Sequence, residues 1–223
     1  MIENAKENSQ RVELKDRIIE TASEAFTAHG IKSITMDDIA ASLGISKRTL
    51  YEVFQDKESL LTQCILKRQE EMNAFLAETL ANSKNVLEVI LVCYQRSIET
   101  FHRTNKRFFE DIKKYPKVHS LLKNYRERDS DSTIEFFKMG IKQGIFRDDV
   151  NFAIVNLLVH EQLDLLMNTD ICNKYSFLEV YEAIMFTYIR GISTEKGAKV
   201  LEDFITEYRK QRSEERRVGK ECR

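Results

Sequence analysis

The sequence predicts an all-α protein in which an N-terminal unit of three helices is joined to a helical remainder of six to seven helices. Two observations indicate helix throughout: the 223 residues contain only seven Gly and one Pro, and apolar residues recur every three or four positions. A third is a composition of 42% apolar and 32% charged residues, rich in Leu, Ile, Glu and Lys, which is typical of a soluble helical protein.

The first predicted helix covers Leu14–His29, and Gly30 follows it as a residue suited to the left-handed conformation that ends helices. Residues 1–13 precede this helix and are predicted to form a flexible N-terminal arm. The helix is identified by a stripe of apolar residues at i, i+4, i+8, i+11 and i+12, namely Leu14, Ile18, Ala22, Ala25 and Phe26.

Capping residues separate the next two helices. Thr35 is followed three residues later by Asp38, which predicts an N-cap with acidic residues in the first helical turn. Gly44 ends this second helix. Ser46 caps a third helix that runs to about Phe54, so the two helices are joined by a tight turn.

The fourth helix starts at Asp56 or its neighbour and runs to about Asn82. We expect a domain boundary near Lys57, with residues 14–57 in one domain and residues 58–211 in the other. Pro116, the single proline, falls at a first-turn position where proline is tolerated. The remaining predicted helices are Val86–Arg103, Asn105–Lys114, Pro116–Gln143, Val150–Asn168, Phe177–Ile192 and Lys196–Gln211.

Composition and motifs argue against several classes of protein. No run approaches about 18 consecutive apolar residues, so no membrane partner is expected, and the N-terminus lacks the apolar core of a secretory signal. The sequence has no glycine-rich phosphate loop, no G-x-S-x-G and no H-E-x-x-H, so we expect no enzyme, no cofactor and no metal. The four cysteines, without C-x-x-C spacing, are predicted to be reduced thiols of a cytoplasmic protein: Cys64, Cys93, Cys172 and Cys222.

One dense motif carries the functional signal. Between Arg17 and Leu61 the chain reads RIIETASEAFTAHGIKSITMDDIAASLGISKRTLYEVFQDKESLL. It contains Ala-x-x-x-Phe in the first helix, Thr-x-x-x-Ile-Ala in the second, Gly-Ile-Ser-x-x-Thr-Leu-Tyr-x-x-Phe through the turn into the third, and a closing Lys-Glu-x-Leu. This stretch, about a fifth of the chain, resembles the DNA-binding domain of the TetR/AcrR family of bacterial transcriptional regulators. The resemblance implies a helix-turn-helix at Thr35–Phe54 and a palindromic double-stranded DNA operator as partner.

The residues of the motif agree with this fold. Gly44 supplies a turn in which a positive φ would be costly for other residues, and Phe26 and Ile34 close the core from the side of the first helix. The outer face of the third helix is then left to Lys47, Arg48, Thr49, Tyr51 and Glu52. The predicted core between the second and third helices consists of Ile39, Ala40, Leu43, Ile45, Leu50 and Phe54.

The resemblance implies that residues at the start of the third helix reach base edges in the major groove. Lys47, Arg48 and Thr49 are the candidates, together with Ser46, which precedes them. Arg48 stands where many relatives have glycine and can pair with O6 and N7 of guanine. The alternative for Lys47 and Arg48 is a solvated charged pair.

Three further residues fit phosphate contacts. Tyr51 offers a hydroxyl, Thr35 lies at a helix start and Lys57 is a cation at a helix N-terminus. The alternatives are that Thr35 only caps its helix and that Tyr51 only packs. Glu52 is expected to face solvent rather than to read cytosine.

Charge predicts a modest electrostatic contribution to DNA binding. Leu14–Lys57 contains six Lys and Arg against seven Asp and Glu, and the whole chain has a net charge of −1. We therefore expect few phosphate contacts and a modest affinity for non-specific DNA.

Beyond Lys57 no sharp motif is present. The resemblance implies a helical ligand-binding and dimerisation domain, with Val150–Asn168 and Phe177–Ile192 forming a four-helix interface in a homodimer. Both helices have broad apolar faces, so each can serve a core and a partner. These faces consist of Phe152, Ile154, Val155, Leu157, Leu158, Leu163 and Leu166 on the first helix and Phe177, Val180, Tyr181, Ile184 and Met185 on the second.

The middle helices are rich in aromatic residues, which predicts a pocket for a small apolar or amphipathic ligand that releases a repressor from DNA. Two alternatives stay open: the rings only pack a core, or the regulator is constitutive or responds to a protein rather than to a small molecule. For His160, a polar anchor of the pocket, the alternative is a hydrogen-bonded histidine in the dimer interface. The predicted pocket residues are Tyr94, Phe101, Phe108, Phe109, Tyr125, Phe137 and His160.

The last twelve residues, Arg212–Arg223, read RSEERRVGKECR. This string resembles the codon-for-codon translation of a common sequencing-library adapter. We therefore expect residues 212–223 to be a non-native tail and leave them out of the fold prediction.

Overall fold

A computed structural model describes the backbone of residues 2–128, 130–168 and 171–221; side chains are described except at 2–8, 119, 123, 126–131, 163–168, 172–173 and 211–221. It confirms the all-α prediction. Within these residues, extended pairing is limited to one bridge between Phe146 and Ser193. The helices are α1 (Ile2–His29), α2 (Met36–Leu43), α3 (Lys47–Val53), α4 (Lys57–Asn82), α5 (Val86–Arg103), α6 (Lys106–Ile112), α7 (Pro116–Arg128), α8 (Ser130–Lys142), α9 (Phe152–Asn168), α10 (Ile171–Lys174), α11 (Phe177–Ile192) and α12 (Glu195–Glu221).

The chain divides into two compact units. The reading unit comprises residues 1–77 and 97–127, and the second unit comprises residues 78–96 and 128–223. The predicted division at Lys57 is therefore not a border between compact bodies. Residues of α4, α6 and α7 pack in the same unit as α1–α3, because their apolar side chains complete the core beneath the helix-turn-helix.

The largest difference from the sequence prediction is at the N-terminus. α1 begins at Ile2 rather than Leu14, so residues 2–13 continue the first helix and do not form a separate arm. These residues lack the apolar stripe that identified the helix from Leu14. However, they contain no Pro or Gly and are rich in Glu, Lys, Arg and Gln, residues that extend a helix at little cost.

Other helix ends differ by smaller amounts. Pro116 is the first residue of α7, as predicted, but the predicted helix 116–143 is described as α7 and α8, with Asp129 outside the described residues. The short α10 was not predicted. The backbone of α12 stays helical past Gln211 and ends at Glu221. The side chains of the expected non-native tail, residues 212–223, lie outside the described residues.

The second unit is built around α11. This helix packs against both α9 and α12, and α8 packs against α9. A capping box at Ser176 and Glu179 starts α11. The largest fully buried side chains of this unit are Leu87, Tyr94, Ile145, Phe146 and Leu201. None of the described helices has both the length and the apolar composition needed to span a bilayer.

Candidate DNA-binding surface

The start of α2 is a complete capping box. The Thr35 hydroxyl oxygen accepts the Asp38 backbone N–H at 3.1 Å, and the Thr35 backbone N–H donates to the Asp38 carboxylate at 2.8 Å. The Thr35 hydroxyl also donates to this carboxylate, and the bonds from Thr35 hold the pKa of Asp38 below its ordinary value. Thr35 therefore caps α2, which is one of the two roles that the sequence predicts for it. Its phosphate contact stays a prediction.

The turn between α2 and α3 depends on Gly44, whose φ is +66°. A Cβ built at this glycine would meet no atom within 4 Å, so the conformation requires glycine for its φ alone. After the turn, Ser46 caps α3 by accepting the Thr49 backbone N–H at 3.0 Å. Ser46 and Thr49 also share a bond between their hydroxyls, 2.8 Å long, so both predicted DNA-binding hydroxyls already have partners in the free protein.

The core behind α3 matches the prediction. Leu50 is fully buried, and the closest helices contribute Phe26, Ile39 and Ala40, each at most 2% exposed. Leu43, Ile45 and Ile34 are partly buried against the same cluster. Because this core fixes one face of α3, the opposite face is presented to solvent.

Each of the two cations at the start of α3 has a carboxylate partner. Lys47 Nζ lies 2.8 Å from Asp37 Oδ2, and Arg48 Nε lies 2.9 Å from Glu52 Oε1. The side chain of Arg48 is 88% exposed. The bond from Asp37 raises the pKa of Lys47. Both pairs lie on the solvent side, so the predicted reading residues are accessible, and Glu52 faces solvent as expected.

Tyr51 and Lys57, two of the predicted phosphate contacts, differ in accessibility. Tyr51 is 43% exposed. By contrast, Lys57 Nζ donates to the Ile34 carbonyl oxygen and lies 5.6 Å from the centre of the Phe26 ring. Burial lowers the pKa of Lys57. Lys57 thus ties the start of α4 to the loop before α2, and its phosphate contact stays a prediction.

A set of hydrogen bonds that the sequence did not predict connects α1 and the following loop to α6. The Lys32 backbone N–H donates to Asp111 Oδ2 at 2.7 Å, the Asn105 backbone N–H donates to the Thr27 carbonyl at 2.8 Å, and Asn105 Nδ2 donates to the Ala28 carbonyl at 3.1 Å. Asp111 is only 6% exposed. Burial opposes ionisation of Asp111, but the bonds from Lys32 and Lys114 outweigh it and lower the pKa.

A second connection joins α4 to α7, since the Glu58 carboxylate accepts the Lys117 backbone N–H at 3.0 Å. These contacts fix the position of the helix-turn-helix on α6 and α7. A motif search does not find them, because they link residues 59 to 79 positions apart and local spacing carries no information about them.

The residues predicted to line a ligand pocket fall into separate groups. In the reading unit, Phe101 stacks on Phe109 with ring centres 5.7 Å apart, Phe108 meets Phe109 edge-on at 5.7 Å, and Tyr125 is half-buried. In the second unit, Phe137 stacks on Phe152 at 4.5 Å. His160 is half-buried on α9.

Tyr94 belongs to a different aromatic group of the second unit. Its ring packs against Tyr181, Phe186, Phe204 and Tyr208, with ring centres 5.1 to 6.3 Å apart. Its hydroxyl is buried without a hydrogen-bond partner among the described residues. Burial, with smaller contributions from neighbouring groups, raises the pKa of this phenol.

The short second helix, the glycine turn and the exposed third helix form a helix-turn-helix, a motif whose second helix lies in the major groove in complexes with DNA. The family model described as "Bacterial regulatory proteins, tetR family" matches residues 18–64. This match assigns residues 18–64 to the DNA-binding domain of that family.

Individual relatives extend the similarity beyond the motif. The HTH-type transcriptional repressor KstR2 of Mycobacterium tuberculosis is 23% identical over 160 residues, which cover 69% of this chain and 78% of that protein. The HTH-type transcriptional regulator SAB2452 of Staphylococcus aureus is 37% identical over 78 residues, 35% of this chain and 37% of that one.

Solved structures share the fold. A transcriptional regulator of Saccharomonospora viridis in complex with choline superposes with a TM-score of 0.66 at 18% identity, over 82% of this chain and all of that one. The structure of KstR2, described as a ketosteroid transcriptional regulator, gives a TM-score of 0.53 at 18% identity, over 81% of this chain and 95% of that one.

Proposed function

We propose that the protein is a homodimeric repressor that binds a palindromic operator through α3 and is released by a small apolar or amphipathic ligand. The outer face of α3 is the observation that carries this proposal. Lys47, Arg48 and Tyr51 are exposed there on a helix whose opposite side is held by a closed core. These residues can reach base edges and phosphates without rearrangement of the domain.

Support for the dimer comes from α9. Ile154, Leu157 and Leu158 lie on one side of this helix and are 54%, 59% and 46% exposed. A soluble protein rarely leaves such a patch uncovered, and α9 packs on α11, the helix that the family resemblance pairs with it in the interface. Leu163 and Leu166, predicted for the same face, lie outside the described residues. Two copies joined here hold two reading heads at a fixed spacing.

For the ligand, one candidate position is the aromatic group around Tyr94. The Tyr94 hydroxyl is buried without a hydrogen bond of normal geometry, although Tyr208 and Glu182 lie near it. A polar group of a bound ligand that bonded to this hydroxyl would recover at most about 1–3 kcal/mol. The surrounding rings offer the apolar contacts that small-molecule sites require. An organic molecule with one polar end fits these two requirements.

A second candidate position is a cleft of about 540 Å³ in the reading unit. Its floor is apolar and includes Phe26, Leu61, Ile65 and the predicted pocket residue Phe108. Its rim carries charges of both signs, from Glu20, Glu24, Lys67, Arg68, Glu71 and Arg103. An amphipathic ligand matches an apolar floor with a charged rim. A ligand bound here would contact α1 directly.

Two structurally similar proteins are connected with small organic molecules: the Saccharomonospora viridis regulator was solved in complex with choline, and KstR2 is described as a ketosteroid transcriptional regulator. They support a ligand-responsive regulator in this chain, although neither molecule is assigned to it.

Release would follow from a shift of population. A ligand that binds more tightly to the conformer whose two third helices are wrongly spaced for DNA raises the population of that conformer. The affinity for the operator then falls, by at most the ratio of the ligand's affinities for the two conformers. We propose that coupling passes through α4, which starts at Lys57, and through the bonds of Asp111 and Asn105 to the loop and helix next to the helix-turn-helix.

A constitutive or protein-responsive regulator is the second candidate function. It is favoured by the close packing of the Tyr94 group, whose rings lie at the distances of an ordinary aromatic core. Thermal unfolding of the full-length protein against a panel of metabolites and drugs separates the two. Stabilisation by a compound that also releases DNA supports the ligand-responsive regulator, whereas no shift across the panel supports the alternative.

The ligand positions are distinguished by matched variants. Tyr94→Phe removes only the hydroxyl in the second unit, and Phe108→Ala removes a ring from the floor of the cleft. The variant that loses the thermal shift while still binding DNA identifies the position. If both keep the full shift, neither position holds the ligand.

Operator binding is tested by selection of genomic fragments on the full-length protein. We expect enrichment of a palindrome with half-sites one DNA turn apart. Arg48→Ala and Tyr51→Ala should weaken its binding, whereas Arg147→Ala, which removes an exposed arginine paired with Asp149 in the second unit, should not. Enrichment of no common sequence would contradict the proposal.

A further inference from the structure

The two carboxylates beside the reading residues differ in what they do to their partners. Asp37 accepts from Lys47 Nζ, whereas Glu52 accepts from Arg48 Nε. An ammonium group is a compact point charge that can rotate, so a carboxylate near it offsets its charge without setting a direction. A guanidinium is a planar fork, so a bond to one nitrogen fixes the plane and the direction of the others.

The effect of Glu52 on Arg48 depends on which guanidinium nitrogen donates to it. Within the described part of the chain the Arg48 guanidinium donates through Nε, and its terminal Nη1 and Nη2 donate to no side chain. Nη1 and Nη2 are the pair that can donate together to O6 and N7 of guanine. Glu52 therefore binds the Nε side of the guanidinium and leaves Nη1 and Nη2, which can recognise guanine, accessible to a base.

Helix geometry makes this arrangement stable in the free protein. Glu52 lies four residues after Arg48, so both side chains share one face of α3, and both are exposed. An arginine so exposed and without a partner samples many rotamers, and ordering it on DNA costs side-chain entropy. Glu52 removes part of this cost before DNA binds.

We propose that Glu52 is a positioning residue that acts through Arg48 to set a guanine preference at one base pair of each half-site. Asp37 has no such role and only lowers the affinity for all duplexes, because its negative charge offsets the positive charge of Lys47 and repels phosphates. The proposal rests on the proposed operator binding and adds to it a division of labour between two carboxylates of one surface.

The test measures binding of the full-length protein to the selected operator and to variants with each base at each position, at one fixed salt concentration. Arg48→Ala should reduce the preference for guanine at a single position per half-site by about 10-fold or more, the size of a lost bidentate contact. Glu52→Ala should reduce the preference at that same position by about 3- to 10-fold.

The conservative variant separates geometry from charge. Glu52→Gln keeps an oxygen that accepts from Arg48 Nε, so it should retain most of the guanine preference. Glu52→Ala and Glu52→Gln both remove one negative charge, so both should raise the affinity for non-operator duplexes by a few-fold. Asp37→Asn is the matched control: we expect the same few-fold rise with unchanged base preferences.

A double variant completes the test. In the Arg48→Ala background, Glu52→Ala should leave base preferences as they are, because a residue that acts through Arg48 has nothing left to position. The proposal is overturned if Glu52→Ala keeps the wild-type guanine preference, or if it changes the preference at another base pair with Arg48 absent, which would mean direct base reading by Glu52.

Failure of the proposed function has a different signature. If the wild-type protein selects no operator, both operator reading and the role of Glu52 are overturned, before any variant is measured. If it selects an operator but Arg48→Ala changes no base preference, the proposed function stands and the role of Glu52 is overturned. Circular dichroism and the mass in solution should be unchanged in all four single variants, because each replaced side chain is exposed.

Discussion

Two helices of this protein expose side chains to solvent in opposite ways. α3 exposes Lys47 and Arg48, and each already has a carboxylate partner within 3 Å. α9 exposes Ile154, Leu157 and Leu158, three large aliphatic side chains. Charged pairs are stable in water, whereas a contiguous aliphatic face is not. The polar groups of the α3 surface are therefore paired in the free protein, whereas the α9 surface is the one that we propose a second copy of the chain covers.

The largest expected effect comes from breaking the α9 surface. Leu157→Glu places a charge in the proposed interface, and we expect the dimer to dissociate and operator affinity to fall by a factor on the order of 100 or more, because the second half-site no longer binds as an intramolecular step. Mass in solution by light scattering and operator titration measure the two effects.

The chain offers a matched control for this change. Val12 on α1 is 55% exposed, close to the 59% of Leu157, so Val12→Glu introduces the same charge at an equally exposed aliphatic position. Its mass in solution should stay that of the wild type. A Leu157→Glu protein with the wild-type mass would show that the α9 face is not the interface.

A smaller effect is expected beneath the α3 surface, at Asp111. Asp111→Ala removes the acceptor of the Lys32 backbone N–H, and we expect a loss of about 1–3 kcal/mol in the free energy of unfolding at pH 7. Urea unfolding measures it. The exposed Asp148→Ala should remain within about 0.5 kcal/mol of the wild type.

The effect of Asp111 should depend on pH. Its pKa in the folded protein lies below the ordinary value, so its contribution is fully present above the unfolded pKa of about 4 and is lost as the pH falls through the folded pKa. The difference between wild type and Asp111→Ala should therefore shrink below pH 4. A difference that grows on acidification would contradict the assignment.

Gly44→Ala should have a smaller effect than Asp111→Ala. The new Cβ meets no atom, so the cost comes from the φ of +66° alone and should be about 1 kcal/mol. Thermal unfolding of the full-length protein measures it. A loss of several kcal/mol would mean that the turn depends on contacts rather than on backbone conformation.

The smallest expected effect on stability is that of Arg48→Ala. An exposed i, i+4 ion pair contributes less than about 0.5 kcal/mol, so unfolding should hardly change although operator binding weakens. A loss of operator affinity without a loss of stability is expected if the α3 side chains serve DNA binding and are not needed for folding. A marked destabilisation would instead give Arg48 a structural role and weaken the contrast between α3 and α9.

Sequence reasoning was most successful where the signal is local. The caps Thr35 and Ser46 and the turn at Gly44 depend on residues within three or four positions, and the structure places each as predicted. The start of α1 was missed because residues 2–13 extend a helix without an apolar stripe.

Long-range contacts were beyond the reach of the sequence. The bond from Lys32 to Asp111 joins residues 79 positions apart, and nothing in the spacing of either residue indicates it. The bond from Lys57 to the Ile34 carbonyl oxygen was also not predictable, because the sequence pattern of a lysine at a helix start fits a phosphate contact equally well. The ion pair of Arg48 and Glu52 is at i, i+4 spacing, so pattern analysis could have found it.

The central claim is that a few positioned side chains, rather than bulk charge, carry operator binding. The salt dependence of operator affinity tests it most directly. With about three neutralised phosphates per monomer, log K against log salt concentration should have a slope near −5 for the dimer. A slope near −18, equivalent to about ten phosphates per monomer, would contradict the account and show that a broad electrostatic contact carries the binding.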